Sequence, residues 1–194
     1  MNQEIEVKFL NINHAAMEKK LVSIGATKVG DYFYKRIVFD FPDLSLHKKG
    51  AFVRLRHEGD RITLTWKQRQ GVKSHDGKTS DNGMEEIETV VGDFEKTANI
   101  LYRLGMVSKF YEENRRSRWK KGDTVFDIDT WPMLEPYLEI EAPSWAAVDA
   151  AIAELGLDPA HKKIFTTLQV YALAGIAELD YEKITFEEQV KRKQ

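Results

Sequence analysis

Apolar positions along this chain recur with two different periods. Where they return every three or four residues between capping residues, the spacing predicts a helix. The first helix runs from about Asn13 to Ile24 and stops at Gly25. A second follows Asp93 as cap, sets Phe94, Ile100, Leu101 and Leu104 on or near one stripe, and stops at Gly105. A third follows Ser144, runs through Ala151 and Leu155, and stops at Gly156. The next takes Asp158 as cap with Pro159 in its first turn and continues through Ile164, Leu168 and Tyr171 towards Gly175. A short tail helix is expected after Thr185, where Glu188 three residues on completes a capping-box pattern.

Between these segments the period falls to two, the signature of a strand. Strands are predicted over residues 3–10, 32–41, 51–57, 61–67, 84–91, 111–120, 124–130 and 136–142. Eight strands with few crossover helices favour an antiparallel sheet in an α+β fold. A faint duplication supports closure of that sheet. Glu4-Ile5-Glu6 is followed by Leu21 to Gly25, and Glu86-Ile87-Glu88 by Leu101 to Gly105, so each half reads strand, helix, then strands. The polar stretch from Lys67 to Gly83, with Gly71, Gly77 and Gly83, reads as a long hairpin loop able to close over a ligand.

Composition narrows the function classes. The 194 residues are 42% hydrophobic and 31% charged, enough for one domain with a core, here taken as 1–194 with a helical segment from about residue 144. Zero Cys excludes a disulfide framework and thiolate chemistry and fits a cytoplasmic location. No apolar run is long enough for a membrane span. With 29 basic against 31 acidic residues, no global field attracts nucleic acid or an anionic membrane, so neither is an expected partner. The five His show no paired metal spacing. The late helices carry apolar area that packs on the sheet or forms a homodimer contact.

The informative feature is which charged residues alternate. In Glu4-Ile5-Glu6-Val7-Lys8 a strand puts three charges on one face and the apolar residues on the other. The construction recurs in Arg54-Leu55-Arg56, Glu86-Ile87-Glu88, Asp127-Ile128-Asp129 and Glu139-Ile140-Glu141, with a looser version in Arg116-Ser117-Arg118. Like charges two positions apart on a strand are roughly 6.7 Å apart and repel by about 2.5 kcal/mol at an effective dielectric near 20. A merely wet sheet face has no use for that repetition. Carboxylate pairs invite Mg²⁺ or Mn²⁺, which prefer hard oxygen ligands, and guanidinium forks match phosphate oxygens two at a time. If these faces converge, the acidic groups outnumber the basic ones, and a divalent ion is needed before a polyphosphate can bind.

These residues resemble the CYTH superfamily of triphosphate tunnel metalloenzymes. The likeness rests on Glu4-x-Glu6-x-Lys8, Arg54-x-Arg56, Lys67, Glu86-x-Glu88, Arg116, Asp129 and Glu139-x-Glu141, and spans residues 2 to about 142. It implies an eight-stranded antiparallel barrel with a triphosphate inside. It also implies Glu4, Glu6, Glu139, Glu141 and Asp129 as ligands of Mg²⁺ or Mn²⁺. Lys8, Arg54, Arg56, Lys67 and Arg116 become phosphate contacts, and Glu88 and Asp129, with Lys8, the groups nearest the chemistry. Asn114 stands where the family often has a basic residue, and Arg118 on the same face substitutes for it. The implied substrate is tripolyphosphate, thiamine triphosphate or ATP. Three functions remain open: hydrolysis of a phosphoanhydride bond, conversion of ATP to cyclic AMP and pyrophosphate as in class IV adenylyl cyclases, and capture of polyphosphate without turnover.

Overall fold

The expected capping residues form their caps. Asn13 accepts a hydrogen bond from Ala16 N at 2.9 Å and opens α1 (His14–Ser23). Asp93 accepts from Lys96 N at 2.8 Å and opens α3 (Phe94–Arg103), and Ser144 accepts from Ala147 N at 3.2 Å and opens α4 (Trp145–Glu154). The remaining elements are α2 (Ser45–Lys48), α5 (Thr167–Leu173) and the strands β1 (Ile5–Phe9), β2 (Thr27–Asp40), β3 (Ala51–His57), β4 (Ile62–Arg69) and β5 (Met84–Val91). They are followed by β6 (Val107–Lys121), β7 (Thr124–Thr130), β8 (Tyr137–Ala142), β9 (Tyr181–Ile184) and β10 (Gln189–Lys191). The computed structural model describes residues 5–69 and 84–193. Most of the expected Lys67–Gly83 loop lies outside that range, while Lys67 to Arg69 continue β4.

The fold is an antiparallel, sheet-rich α+β fold. Hydrogen bonding among the described strands runs from β1 to β5 in the order β1-β8-β7-β6-β2-β3-β4-β5, and it does not close the sheet into a barrel. Period-two alternation reports the two faces of each strand and carries no signal for closure. The duplicated order is present: β1, α1 and a long β2 are matched by β5, α3 and a long β6.

The chain forms two compact units, Met1–Tyr32 with Asn114–Glu178, and Phe33–Glu113 with Leu179–Gln194. In the first, β1 pairs with β8, β8 with β7 and β7 with the second half of β6, all antiparallel. Val7, Phe9, Ile128, Leu138 and Ile140 pack against Met17 and Leu21 of α1 and Val148, Ala151 and Ile152 of α4. Full burial of each large side chain contributes about 1.5–3 kcal/mol relative to exposure. Charged residues alternate with these and take the opposite face.

In the second unit β3 pairs antiparallel with β2 and β4, and β4 with β5. Ile37, Phe39 and Leu55 pack with Ala98 and Leu101 of α3 and with Met106.

Two helix expectations need correction. The segment after Asp158 makes only a 3₁₀ turn, Pro159–His161, because Lys163 then bonds to β1: Lys8 N donates to Lys163 O at 2.7 Å and Lys163 N to Lys8 O at 2.9 Å. A fresh capping box, Thr166 with Gln169, starts α5. The tail helix is a hairpin of β9 and β10. Thr185 N donates to Glu188 O at 2.9 Å and Glu188 N to the Thr185 hydroxyl at 3.0 Å, so the same residue pair closes a tight turn. Pairing of β9 with β6 and full burial of Ile184 decide that outcome.

Candidate functional site

On the charged face of the first unit Lys8 is 3% exposed and Asp129 0%, Asp127 and Glu139 are also buried, Arg118 and Glu141 are half-buried, and Glu6 is exposed. Register explains who meets whom: Lys8 lies opposite Glu139, Glu139 opposite Asp127, Asp127 opposite Arg118, Asp129 opposite Arg116, and Glu6 opposite Glu141. Arg116 is the hub. Its Nε and Nη2 donate to the two carboxylate oxygens of Asp129, each at 2.6 Å, Nη2 also donates to Glu139 at 2.6 Å, and Nη1 lies 2.7 Å from Asp127. Arg118 Nε and Nη2 donate to Asp127 Oδ1 and Oδ2 at 2.8 and 2.7 Å, so Oδ2 is shared with Arg116. The Lys8 ammonium joins Glu139 at 2.9 Å and also Glu6. Asn114, fully buried, points its amide at Asp129 at 3.4 Å.

Burial opposes every charge here, and the pairing decides the sign. For Lys8 burial pulls the ammonium down, but Glu139 and Glu6 outweigh it and hold it above its ordinary value. Arg116 is raised well above its ordinary value in the same way, by Asp129 and Glu139 against burial. Asp129 is raised: burial dominates, Arg116 opposes it, and Glu139 adds to it.

The second unit holds the other candidates. Arg54 and Arg56 lie on one face of β3, Thr65 and Lys67 on β4, and Glu86 and Glu88 on β5. Lys67 pairs with Glu86 at 2.6 Å, and the Thr65 hydroxyl donates to Glu88 at 2.8 Å. Arg56 Nε donates to Glu58 at 2.6 Å. Arg54 differs from these, because its Nε is buried with no hydrogen-bond partner among the described residues. Burial first, then the neighbouring charges of Arg56 and Arg36, push its guanidinium down to about 9, with Glu86 and Glu88 opposing. Such an environment calls for an anion.

The sequence is matched by the family model of the CYTH domain over residues 2–166. The chain belongs to the CYTH domain family. Solved structures share its fold: the PH1012 protein of Pyrococcus horikoshii superposes with a TM-score of 0.70 at 20% identity, covering 86% of this chain and 98% of that one. A Vibrio parahaemolyticus protein proposed as an adenylate cyclase gives 0.70 at 15% identity, covering 88% and 98%. The Hippeastrum protein HpAC1, proposed as an adenylyl cyclase and described as having a dominant triphosphatase activity, gives 0.64 at 13% identity, covering 91% and 97%. Comparison with curated protein sequences finds no significant match.

In this CYTH domain Glu6, Lys8, Arg116, Arg118, Asp127, Asp129 and Glu139 are brought together, with Glu141 beside Glu6 in register. Glu4 lies outside the described residues. Glu86 and Glu88 are exposed, as is Ile87 at 65% between them. Oxygen atoms of three carboxylates, Asp127, Asp129 and Glu139, converge on one cationic group, Arg116. Among the described residues no three acidic or imidazole side chains are grouped as metal ligands; those oxygens are turned on Arg116 and Lys8 instead. Sequence reasoning missed Glu58 and Arg36. Both share a strand face with the Arg54-Arg56 pair, and only charges two apart and of one sign had stood out. No helix among the described residues is long and apolar enough to cross a membrane.

Proposed function

We propose that this CYTH domain is a divalent-metal-dependent enzyme that hydrolyses a phosphoanhydride bond of a small triphosphate. The observation that carries the reading is Arg54, a guanidinium set among like charges with a buried donor lacking any partner among the described residues. A phosphoryl oxygen supplies that partner. Arg54, Arg56 and Lys67 are assigned to phosphate. Glu6, Glu139, Glu141 and Asp129, with Glu4, are assigned to Mg²⁺ or Mn²⁺, which when bound supplies Lewis acidity toward phosphate oxygens. Lys8, Arg116 and Arg118 exchange their carboxylate partners for phosphate oxygens as substrate enters. Asp129, buried and raised, is assigned to orient the attacking water and accept its proton. Most of the barrier reduction then comes from positioning and charge stabilisation, as phosphoryl transfer requires little covalent help from the protein.

Family membership and the triphosphatase activity described for HpAC1 support this reading. The fold shared with the Vibrio protein keeps the cyclase reading as its rival. One experiment separates them: incubation with ATP, tripolyphosphate and thiamine triphosphate, with Mg²⁺ or Mn²⁺, and identification of the products. Orthophosphate supports hydrolysis, and cyclic AMP with pyrophosphate supports the cyclase. Binding without any product leaves a capture module.

A further inference from the structure

We propose that Lys163 is a further phosphate-binding group of the first unit, a cation that takes an oxygen of the triphosphate beside Lys8. The proposal rests on the triphosphate reading above. Residue 163 lies outside the strands, yet it forms an antiparallel bridge to β1, in which Lys8 N donates to Lys163 O at 2.7 Å and Lys163 N to Lys8 O at 2.9 Å. Residues directly opposed in an antiparallel pair send their side chains to the same side, with Cβ atoms about 4.5–5.5 Å apart. Lys163 therefore emerges on the charged face, next to Lys8. Ile164, the next residue, fits this orientation, because it packs against the apolar cluster on the other side of the sheet.

The other cations of that face are engaged. Lys8 is paired with Glu6 and Glu139, Arg116 with Asp127, Asp129 and Glu139, and Arg118 with Asp127. A phosphate oxygen reaches any of them only by displacing a carboxylate. Lys163 is half-buried, its ammonium stands 6.0 Å from the centre of the Phe165 ring, and no carboxylate among the described residues is paired with it. It therefore meets an incoming phosphate without breaking an ion pair. An ammonium suits that place, since a compact charge on a flexible four-carbon stem follows a phosphoryl group as it settles. Lys162 provides the control. It carries the same charge one residue away, pairs with Asp149 of α4 at 3.2 Å and lies over the Trp145 ring.

The test is calorimetric titration of the full chain, in millimolar Mg²⁺, for wild type, Lys163→Gln and Lys162→Gln. The titrant is the Mg²⁺ complex of imidotriphosphate, a tripolyphosphate whose bridging oxygen atoms are replaced by NH so that it is not hydrolysed. Lys163→Gln is expected to weaken binding by on the order of 10-fold or more, the loss of a hydrogen bond to a charged group, while Lys162→Gln stays within about two-fold of wild type. Binding by Lys163→Gln as tight as that of the wild type, or an equal loss in Lys162→Gln, overturns the assignment of Lys163. A wild-type chain that ignores the Mg²⁺ complex overturns the triphosphate reading, and the role of Lys163 with it. As a measurement independent of variant folding, acetylation of the wild type by an amine-reactive ester, read by mass spectrometry, must slow at Lys163 and not at Lys162 when the Mg²⁺ complex is added; an unchanged rate at Lys163 sinks the proposal.

Discussion

Arg116 and Glu139 share a 2.6 Å hydrogen bond on the face that carries most of the predicted metal ligands. The same guanidinium holds Asp127 and Asp129, so one cation is shared among three carboxylates. If these carboxylates hold a divalent metal, it competes with Arg116 for the same oxygen atoms. Removing one partner of a buried ion pair costs about 3–5 kcal/mol because the other charge is left uncompensated. Arg116→Gln should therefore lower the melting temperature, and millimolar Mn²⁺ should restore more of it than it adds to the wild type, since a ligand that binds only the folded state stabilises it by mass action. Thermal melts with and without Mn²⁺ test this, and an equal Mn²⁺ effect in both proteins would count against the competition.

Glu139 and Glu141 differ in their surroundings. Glu139 is buried between Lys8 and Arg116, whereas Glu141 lies half-buried opposite Glu6. If both hold the metal, Glu139→Gln and Glu141→Gln each cut metal-dependent phosphate release by on the order of 100-fold or more, given that even groups supporting a ligand are worth 10–100-fold. Glu139→Gln should also lower stability, because it leaves Lys8 and Arg116 short of a partner. Phosphate release measured across a Mg²⁺ titration, beside melting curves, checks both effects. Full turnover by Glu141→Gln removes it from the metal set.

The contrast between these residues shows what the sequence carried. Alternation along Lys8, Arg116, Asp127, Asp129 and Glu139 predicted their common face, and the register bears it out. It held no distances, so Arg116, expected as a phosphate contact, was not foreseen as the centre of an acidic cluster. Arg36 went unread because its strand neighbours two positions away are Tyr34 and Val38, neither charged. Helix starts were legible where one side chain caps the next turn, as at Asn13, Asp93 and Ser144. Thr185 and Glu188 failed as a guide because the Glu188 N–H to Thr185 hydroxyl bond that caps a helix also forms in a tight turn, where Thr185 N donates to the backbone oxygen of Glu188 instead of its side chain, and the choice was made by Ile184 pairing with a distant strand.

Packing in the first unit gives a prediction at two adjacent positions of α1. Leu21 is fully buried against the sheet, while Val22 is 61% exposed. Leu21→Ala removes transfer energy and leaves a cavity, costing about 2–5 kcal/mol. Val22→Ala should change stability by less than about 0.5 kcal/mol. Urea denaturation of both variants tests whether α1 is docked through the face described. Similar losses at the two positions would contradict it.

Glu58 supplies a pH-dependent prediction. Its carboxylate, buried at the end of β3, accepts from Arg56 at 2.6 Å, Arg61 at 2.7 Å and the Thr63 hydroxyl at 3.3 Å. Burial pushes this carboxyl up, but Arg56 and Arg61 outweigh it and hold it below its ordinary value. A carboxyl depressed on folding stabilises the protein fully above its unfolded value, near ~4.3, and that contribution is lost as pH falls through the folded value. Glu58→Gln should thus be less stable than wild type at neutral pH by about 1.5–3 kcal/mol, the worth of hydrogen bonds to a charged group. The gap should hold down to about pH 5 and close below it. Urea midpoints of the two proteins from pH 7 to pH 3 measure the gap, and a difference that stays constant or widens toward pH 3 shows that the Glu58 charge is not what fastens Arg56 and Arg61.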